Sequence, residues 1–241
     1  MSLPPLLKIP LLLGVAWTYQ ISSTPPNRPP PSSKAPAPSG SNILLRWLEP
    51  LLGISIGITW IVALSEIAVI LAQHSPSSPI TSGILGVLIP RETAPTLPIA
   101  LAVPFTLGSL LAISGGVLRY WCYQTLGRFF TFKMRIQRDH RLITQGPYSF
   151  VRHPSYTGSL LCFIGVSICM ISRGSWLRES GVAEYRVVQI VIALNMAFLA
   201  LVGAGLTFRT YAEDAMMRKE FGKEWDEWAR RVSYRVLPGV F

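Results

Sequence analysis

Residues Gly146–Gly158 (Gly-Pro-Tyr-Ser-Phe-Val-Arg-His-Pro-Ser-Tyr-Thr-Gly) form the densest run of side chains able to do chemistry in this chain. The run leads directly into an uncharged block, Pro154–Ser172, and Pro154 suits a first helical turn. Arg152 and His153 then stand at a water–lipid boundary, with Tyr156 one turn further in. A second set stands where another uncharged block, Val187–Phe208, runs out: Arg209, and Glu213 four residues later on the same helical face. An arginine, a carboxylate, a histidine and a tyrosine at one membrane surface suit a polar cofactor that meets a lipid-bound substrate. Two plainer readings compete. Basic residues and tyrosines at an interface are common anchors. Arg209 and Glu213 alone read as an exposed i,i+4 ion pair worth about 0.3–0.5 kcal/mol, in the less favourable order. Whether the two sets meet depends on the elements that carry them.

Those elements are membrane helices. Half of the 241 residues are hydrophobic and only 14% are charged. Leu97–Leu118, Pro154–Ser172 and Val187–Phe208 contain no Asp, Glu, Lys or Arg, and Leu51–Gln73 contains only Glu66. Each approaches or exceeds the roughly 20 residues that cross a hydrocarbon core. Ile9–Ile21 is apolar but shorter, and reads either as a first span beginning near Leu3 or as the core of a cleaved signal segment. Ile80–Pro90 is too short to span and reads as interfacial or re-entrant. The expectation is an all-α polytopic protein of about five spans with a C-terminal cytoplasmic cap.

The net charge of +10 does not point to nucleic acid, because basic residues gather on cytoplasmic loops. Gln124–Ser155 holds Arg128, Lys133, Arg135, Arg138, Arg141 and Arg152 against Asp139 alone. That loop is therefore expected in the cytoplasm, and two spans later so is the tail from Arg209. His153–Tyr156 and Arg209–Glu213 then lie at the two cytoplasmic ends of one helical hairpin and can converge.

Residues 1–21 form the first segment, 22–46 a Pro/Ser-rich linker, 47–118 two spans, and 119–241 the chemical core. Tyr211–Val232 reads as one amphipathic helix along the bilayer, with Trp225 and Trp228 at headgroup level. Glu66 and Asn195 are polar within spans and read equally well as functional or as interhelical hydrogen-bonding groups. Cys122, Cys162 and Cys169 read as apolar packing residues. With His74, His140 and His153 scattered, no metal site is expected.

The ordered motifs carry a resemblance. Leu126-Gly127-Arg128, His140-Arg141-Leu142-Ile143, Gly-Pro-Tyr, Arg-His-Pro-Ser-Tyr-Thr-Gly, then Arg209, Glu213 and Phe221-Gly222-Lys223-Glu224-Trp225 resemble the isoprenylcysteine carboxyl methyltransferase family over residues 119–241. The resemblance implies an S-adenosyl-L-methionine site formed by His140, Arg141, Leu142, Ile143, Tyr148, His153, Pro154, Ser155, Tyr156 and Glu213. It implies that Arg209 contacts the substrate, so that Arg209 and Glu213 carry the catalysis. Asp214 departs conservatively from the second glutamate common there. Lys133 falls where some members have a cofactor-contacting glutamine and is left out of the site. The implied partners are prenylated protein C-termini or small prenylcysteines and the lipid bilayer. The implied compartment is the endoplasmic reticulum membrane, with the site facing the cytoplasm.

The implied chemistry is self-consistent. A C-terminal carboxylate, with a reference pKa of about 3.5, is already ionised and needs no general base. Its methylation by a sulfonium cancels two charges, which a dry pocket favours, and Arg209 would orient the nucleophile. Three rivals stand beside this reading. The tail Lys-Glu-Trp-Asp-Glu-Trp…Tyr-Arg-Val-Leu-Pro-Gly-Val-Phe also resembles NADPH-dependent membrane sterol reductases. A phospholipid amine methyltransferase would need a base and has less use for Arg209. A non-enzymatic adaptor would bind no cofactor.

Overall fold

The computed structural model describes residues 5–27, 40–90, 98–132 and 139–240, with side chains of the helix beginning at Gly40 described from residue 49 onward. Most of the predicted linker (residues 28–39) and Lys133 lie outside the described residues. The described chain is built of helices. In order they are α1 (Lys8–Ser23), α2 (Gly40–His74), α3 (Pro79–Leu88), α4 (Val103–Leu126), α5 (Pro154–Ile171), α6 (Trp176–Glu179), α7 (Arg186–Phe221) and α8 (Lys223–Arg231).

Among the described residues, four segments are long and apolar enough to cross a membrane: Glu49–His74, Val103–Phe129, Pro154–Glu179 and Arg186–Phe221. The protein is an all-α polytopic membrane protein. α1, with 16 residues, is about 24 Å long at 1.5 Å per residue. It nevertheless packs against α2, α4 and α5, and Leu12, Val15, Ala16 and Tyr19 are buried in the bundle core. α3 has ten residues and is too short to cross a core of about 30 Å. It opens with Pro79 at its start and a reciprocal Ser78–Thr81 capping box.

Small residues let the central helices touch. A Cβ on Gly115 of α4 would lie 2.5 Å from the Gly158 carbonyl oxygen of α5, and one on Gly165 would lie 2.4 Å from the Gly108 carbonyl. The seven-residue spacing on both helices repeats this backbone contact two turns on, as membrane helix interfaces do. At one end of the bundle Lys8 pairs with Glu66 at 2.5 Å and donates to the Gly174 carbonyl at 2.8 Å. Glu66 also accepts the Trp176 amide at 3.0 Å. Its second role is thus visible: it ties α2 to α1 and α6. Asn195 likewise faces Met170 across α7 and α5, at 3.9 Å from the sulfur.

The elements depart from the sequence expectation in three places. Residues 98–102 are non-helical, and α4 begins at Val103 and runs to Leu126. Prolines 98 and 104 move the start, since proline is accommodated in a first helical turn but not further in. The predicted helix Tyr211–Val232 is two pieces. α7 carries the span straight into the cap as one 36-residue helix, then Gly222 at φ 53° breaks it before α8. Trp225 and Trp228 face protein and not lipid. They are buried with Cys122, Tyr123, Phe130, Tyr148 and Val232 in the apolar core of the cap.

The C-terminal tail then folds back. The Arg152 and His153 amides donate to the carbonyls of Tyr234 (2.9 Å) and Arg235 (2.7 Å). The Thr157 hydroxyl donates to the Val236 carbonyl at 2.6 Å. This strap fixes the turn before α5, where the reactive residues sit.

Candidate active site

A cleft opens between the cap segments and the ends of α5 and α7. It is lined by Leu126 and Phe129–Thr131 after α4, by His140–Ile143, and by Tyr148 and Arg152–His153 before α5. Ser155 and Tyr156 of α5, Glu213, Asp214, Met216 and Met217 of α7, and Trp225 and Trp228 of α8 complete it. Of the residues singled out in the sequence, His140, Arg141, Leu142, Ile143, Tyr148, His153, Ser155, Tyr156 and Glu213 meet there. Pro154 does not: it is fully buried and serves as the first residue of α5.

Glu213 and Asp214 take different parts. The Tyr156 hydroxyl donates to Glu213 Oε2 at 2.6 Å, and Tyr156 stacks on His153 with centroids 5.5 Å apart. Asp214 accepts from Arg152 Nη1 at 2.8 Å, Arg235 Nε at 2.9 Å and His153 Nε2 at 2.8 Å. Because a carboxylate only accepts, this bond puts a proton on Nε2 and turns Nδ1 toward Glu213, 3.8 Å away. Asp214 is therefore the buried hub that orients His153, and through the stack Tyr156. Glu213 remains 30% exposed to the cleft.

Aromatic rings line the cleft's far side. His140 stacks on Phe129 at 4.7 Å and 15°, and meets Phe221 edge-on at 5.8 Å. Burial holds the His140 pKa below its usual 6.5, against the opposing pull of Glu220 and Glu213. The ring is therefore neutral at pH 7. Burial pushes the Tyr148 phenol well above its usual 10, so it too stays neutral. The Trp228 Nε1–H, in the cleft wall, is buried without a hydrogen-bond partner.

A second, inner cavity of about 50 Å³ lies behind Tyr156. It shares Phe130, Thr131 and Tyr156 with the cleft, and its other walls are Ser22, Ser23, Leu52, Arg119, Phe132, Ser159, Phe163, Val202, Leu206 and Arg209. Arg209 therefore belongs to this inner cavity and Glu213, one turn on, to the cleft. The i,i+4 ion pair does not form. Glu213 turns to Tyr156, and Arg209 Nε is buried without a hydrogen-bond partner.

Arg119 was not singled out in the sequence, although it is the charged residue that closes an uncharged block. It is 5% exposed. Its Nε donates to the Ser22 carbonyl (2.6 Å) and the Tyr123 hydroxyl (2.8 Å), and its Nη1 to the Ser155 hydroxyl (2.8 Å). It fastens α1 to α4 and α5, with no carboxylate partner among the described residues.

Residues 108–176 match the isoprenylcysteine carboxyl methyltransferase (ICMT) family. Over that stretch the chain is similar to that family. Relatives include a probable protein-S-isoprenylcysteine O-methyltransferase of Oryza sativa subsp. indica, 29% identical over 127 residues, or 52% of this chain and 56% of that protein. Protein-S-isoprenylcysteine O-methyltransferase B of Arabidopsis thaliana is 29% identical over 127 residues, 52% of this chain and 55% of its own length. A Delta(14)-sterol reductase of Mus musculus is 24% identical over 101 residues, 42% of this chain and 20% of its own length. The chain thus spans about half the length of the first two relatives. The ICMT match begins at Gly108, on the α4–α5 interface, and ends at Trp176, taking in the cleft residues from Leu126 to Tyr156. Arg209, Glu213 and the tail that holds Asp214 lie beyond it.

Proposed function

We propose that this protein transfers a methyl group from S-adenosyl-L-methionine to the carboxylate of a C-terminal prenylcysteine, at the cytoplasmic face of the endoplasmic reticulum membrane. The acceptor is the end of a prenylated protein or a small prenylcysteine. One observation carries the reading: a cleft bearing Glu213 and a second cavity bearing Arg209 share Tyr156 in their walls.

The cleft residues suit this cofactor. The neutral His140–Phe129 stack offers a π surface for a base, the Trp228 Nε1–H a donor without a partner, and Glu213 an acceptor for hydroxyls beside a cation. When bound, S-adenosyl-L-methionine supplies an electrophilic methyl on a sulfonium. The chain's own residues then do three things. Tyr156, held by Glu213 and the His153 stack, separates the two cavities with its ring. Arg209 orients the acceptor carboxylate, which is already ionised near neutrality and needs no base. The buried walls keep water from the nucleophile, whose solvation would otherwise slow attack. The inner cavity is small and takes the polar end of the acceptor. The prenyl chain leaves it past its apolar walls, Leu52, Phe163, Val202 and Leu206 of α2, α5 and α7, toward the bilayer.

The likeness to a sterol reductase makes cofactor choice the discriminating test. Labelled S-adenosyl-L-methionine should bind the purified full chain and be displaced by S-adenosylhomocysteine but not by NADPH. Glu213→Ala should weaken binding by roughly tenfold, the loss of a hydrogen bond to a charged group. Displacement by NADPH, with no effect of the homocysteine compound, would reverse the assignment.

A further inference from the structure

The C-terminal turn of α1 reaches the inner cavity with two serines whose hydroxyls are buried without a well-formed hydrogen bond. Ser22 is 1% exposed and Ser23 7% exposed, and both line that cavity. Neither hydroxyl makes a hydrogen bond of good geometry. Ser22 interacts with the Cys162 thiol, a weak partner, and Ser23 with the Tyr19 hydroxyl, already engaged with Ser55 at 2.7 Å. Buried hydroxyls without partners are uncommon because each forfeits its hydration.

The turn is also fixed in place. Arg119 Nε and the Tyr123 hydroxyl hold the Ser22 carbonyl at 2.6 and 3.2 Å, taking up a helix-end acceptor that would otherwise be unpaired. On the α4 side, a Cβ at Gly116 would lie 2.4 Å from Thr18 Cβ, so α1 lies directly against α4. Among the described residues, the cavity they face is lined by two guanidinium groups, Arg119 and Arg209, and by no carboxylate. Two cations and two hydroxyls without a well-formed hydrogen bond, around about 50 Å³, are the donor set for a small anionic group.

We propose that α1 is part of the acceptor site, with the Ser22 and Ser23 hydroxyls donating to the acceptor carboxylate beside Arg209. The proposal rests on the methyltransferase reading above and adds to it a binding element from the N-terminal helix, outside the region matched to the family. It makes α1 a working part of the enzyme, and it makes the site selective for an acid over its amide.

The test compares wild type with Ser22→Ala, Ser23→Ala and the double variant in the full chain. It measures steady-state kinetics with N-acetyl-S-farnesylcysteine, inhibition by the corresponding carboxamide, and thermal stability. The double variant should raise KM for the acid roughly tenfold or more, the effect of losing hydrogen bonds to a charged group. The inhibition constant of the amide should move less, so acid-over-amide discrimination falls. Cofactor affinity should hold, and Tm should stay the same or rise, since an unpaired buried hydroxyl is removed. A purely structural role for the serines predicts the reverse, a lower Tm with unchanged KM, and that result overturns the proposal. So does an unchanged KM at unchanged Tm. If wild type itself neither binds nor methylates the prenylcysteine, the functional reading fails and this proposal fails with it.

Discussion

Arg209→Ala is expected to lower kcat/KM for prenylcysteine methylation by about 10²–10³-fold, with cofactor affinity within twofold of wild type. Arg209 is the last residue of α7 before the cap that lines the inner cavity, and its Nε is buried without a hydrogen-bond partner. Glu213, one turn on, is engaged by Tyr156 and leaves the guanidinium free for an incoming anion. Truncating one member of a buried, hydrogen-bonded charge pair typically costs about 2–5 kcal/mol, which sets the size of the effect. Arg209→Lys should recover part of the loss, because it restores the charge but not the planar fork that grips both carboxylate oxygens. Steady-state kinetics with N-acetyl-S-farnesylcysteine measures both variants. Wild-type turnover in Arg209→Ala would remove the acceptor half of the account.

The second large effect is expected at Asp214, which touches neither cavity's proposed ligand in the role assigned here. Asp214→Ala strips one carboxylate from Arg152, Arg235 and His153 at once. Removing one side of a buried ion cluster costs about 3–5 kcal/mol because the remaining charges lose their partner. At about 2–4 °C per kcal/mol for a chain of this size, Tm in detergent should fall by roughly 10 °C. Activity should fall too, since His153 loses the bond that orients it and Tyr156 loses a fixed stacking partner. Asp214→Glu should recover stability more than activity, because the longer side chain can still meet the arginines but displaces the imidazole. An Asp214→Ala protein as stable as wild type would mean that the tail strap, and not this cluster, holds the turn before α5.

The contrast between these two residues marks what the sequence could and could not disclose. Arg209 and Glu213 were legible because they follow an uncharged block, and the hairpin topology sends them to the same end of the bundle as His153–Tyr156. Asp214 was legible only as a neighbour of Glu213. Its hub role needs Arg235, 21 residues on, brought back by backbone bonds between Tyr234–Arg235 and Arg152–His153. Nothing local in the sequence announces such a return. The inner cavity was hidden for a similar reason. Ser22 and Ser23 read as the start of a Pro/Ser-rich linker, and only the close fit of α1 on α4, Thr18 against Gly116, brings them beside Arg119. Trp225 and Trp228 misled because an amphipathic pattern fixes which residues share a face but not whether lipid or protein covers it. The break at Gly222 was visible as a glycine, yet an isolated glycine in a helical pattern is tolerated as often as it ends one.

The central claim is that the two cavities meeting at Tyr156 bring a methyl donor to a lipid-borne carboxylate. The most direct measurement supplies membranes containing the full chain with methyl-labelled S-adenosyl-L-methionine and N-acetyl-S-farnesylcysteine, then counts label released as methanol by mild base. The account predicts base-labile ester from wild type and little from Arg209→Ala or Glu213→Ala. Folded wild-type protein that binds the methyl donor yet forms no base-labile ester with a prenylcysteine would contradict it.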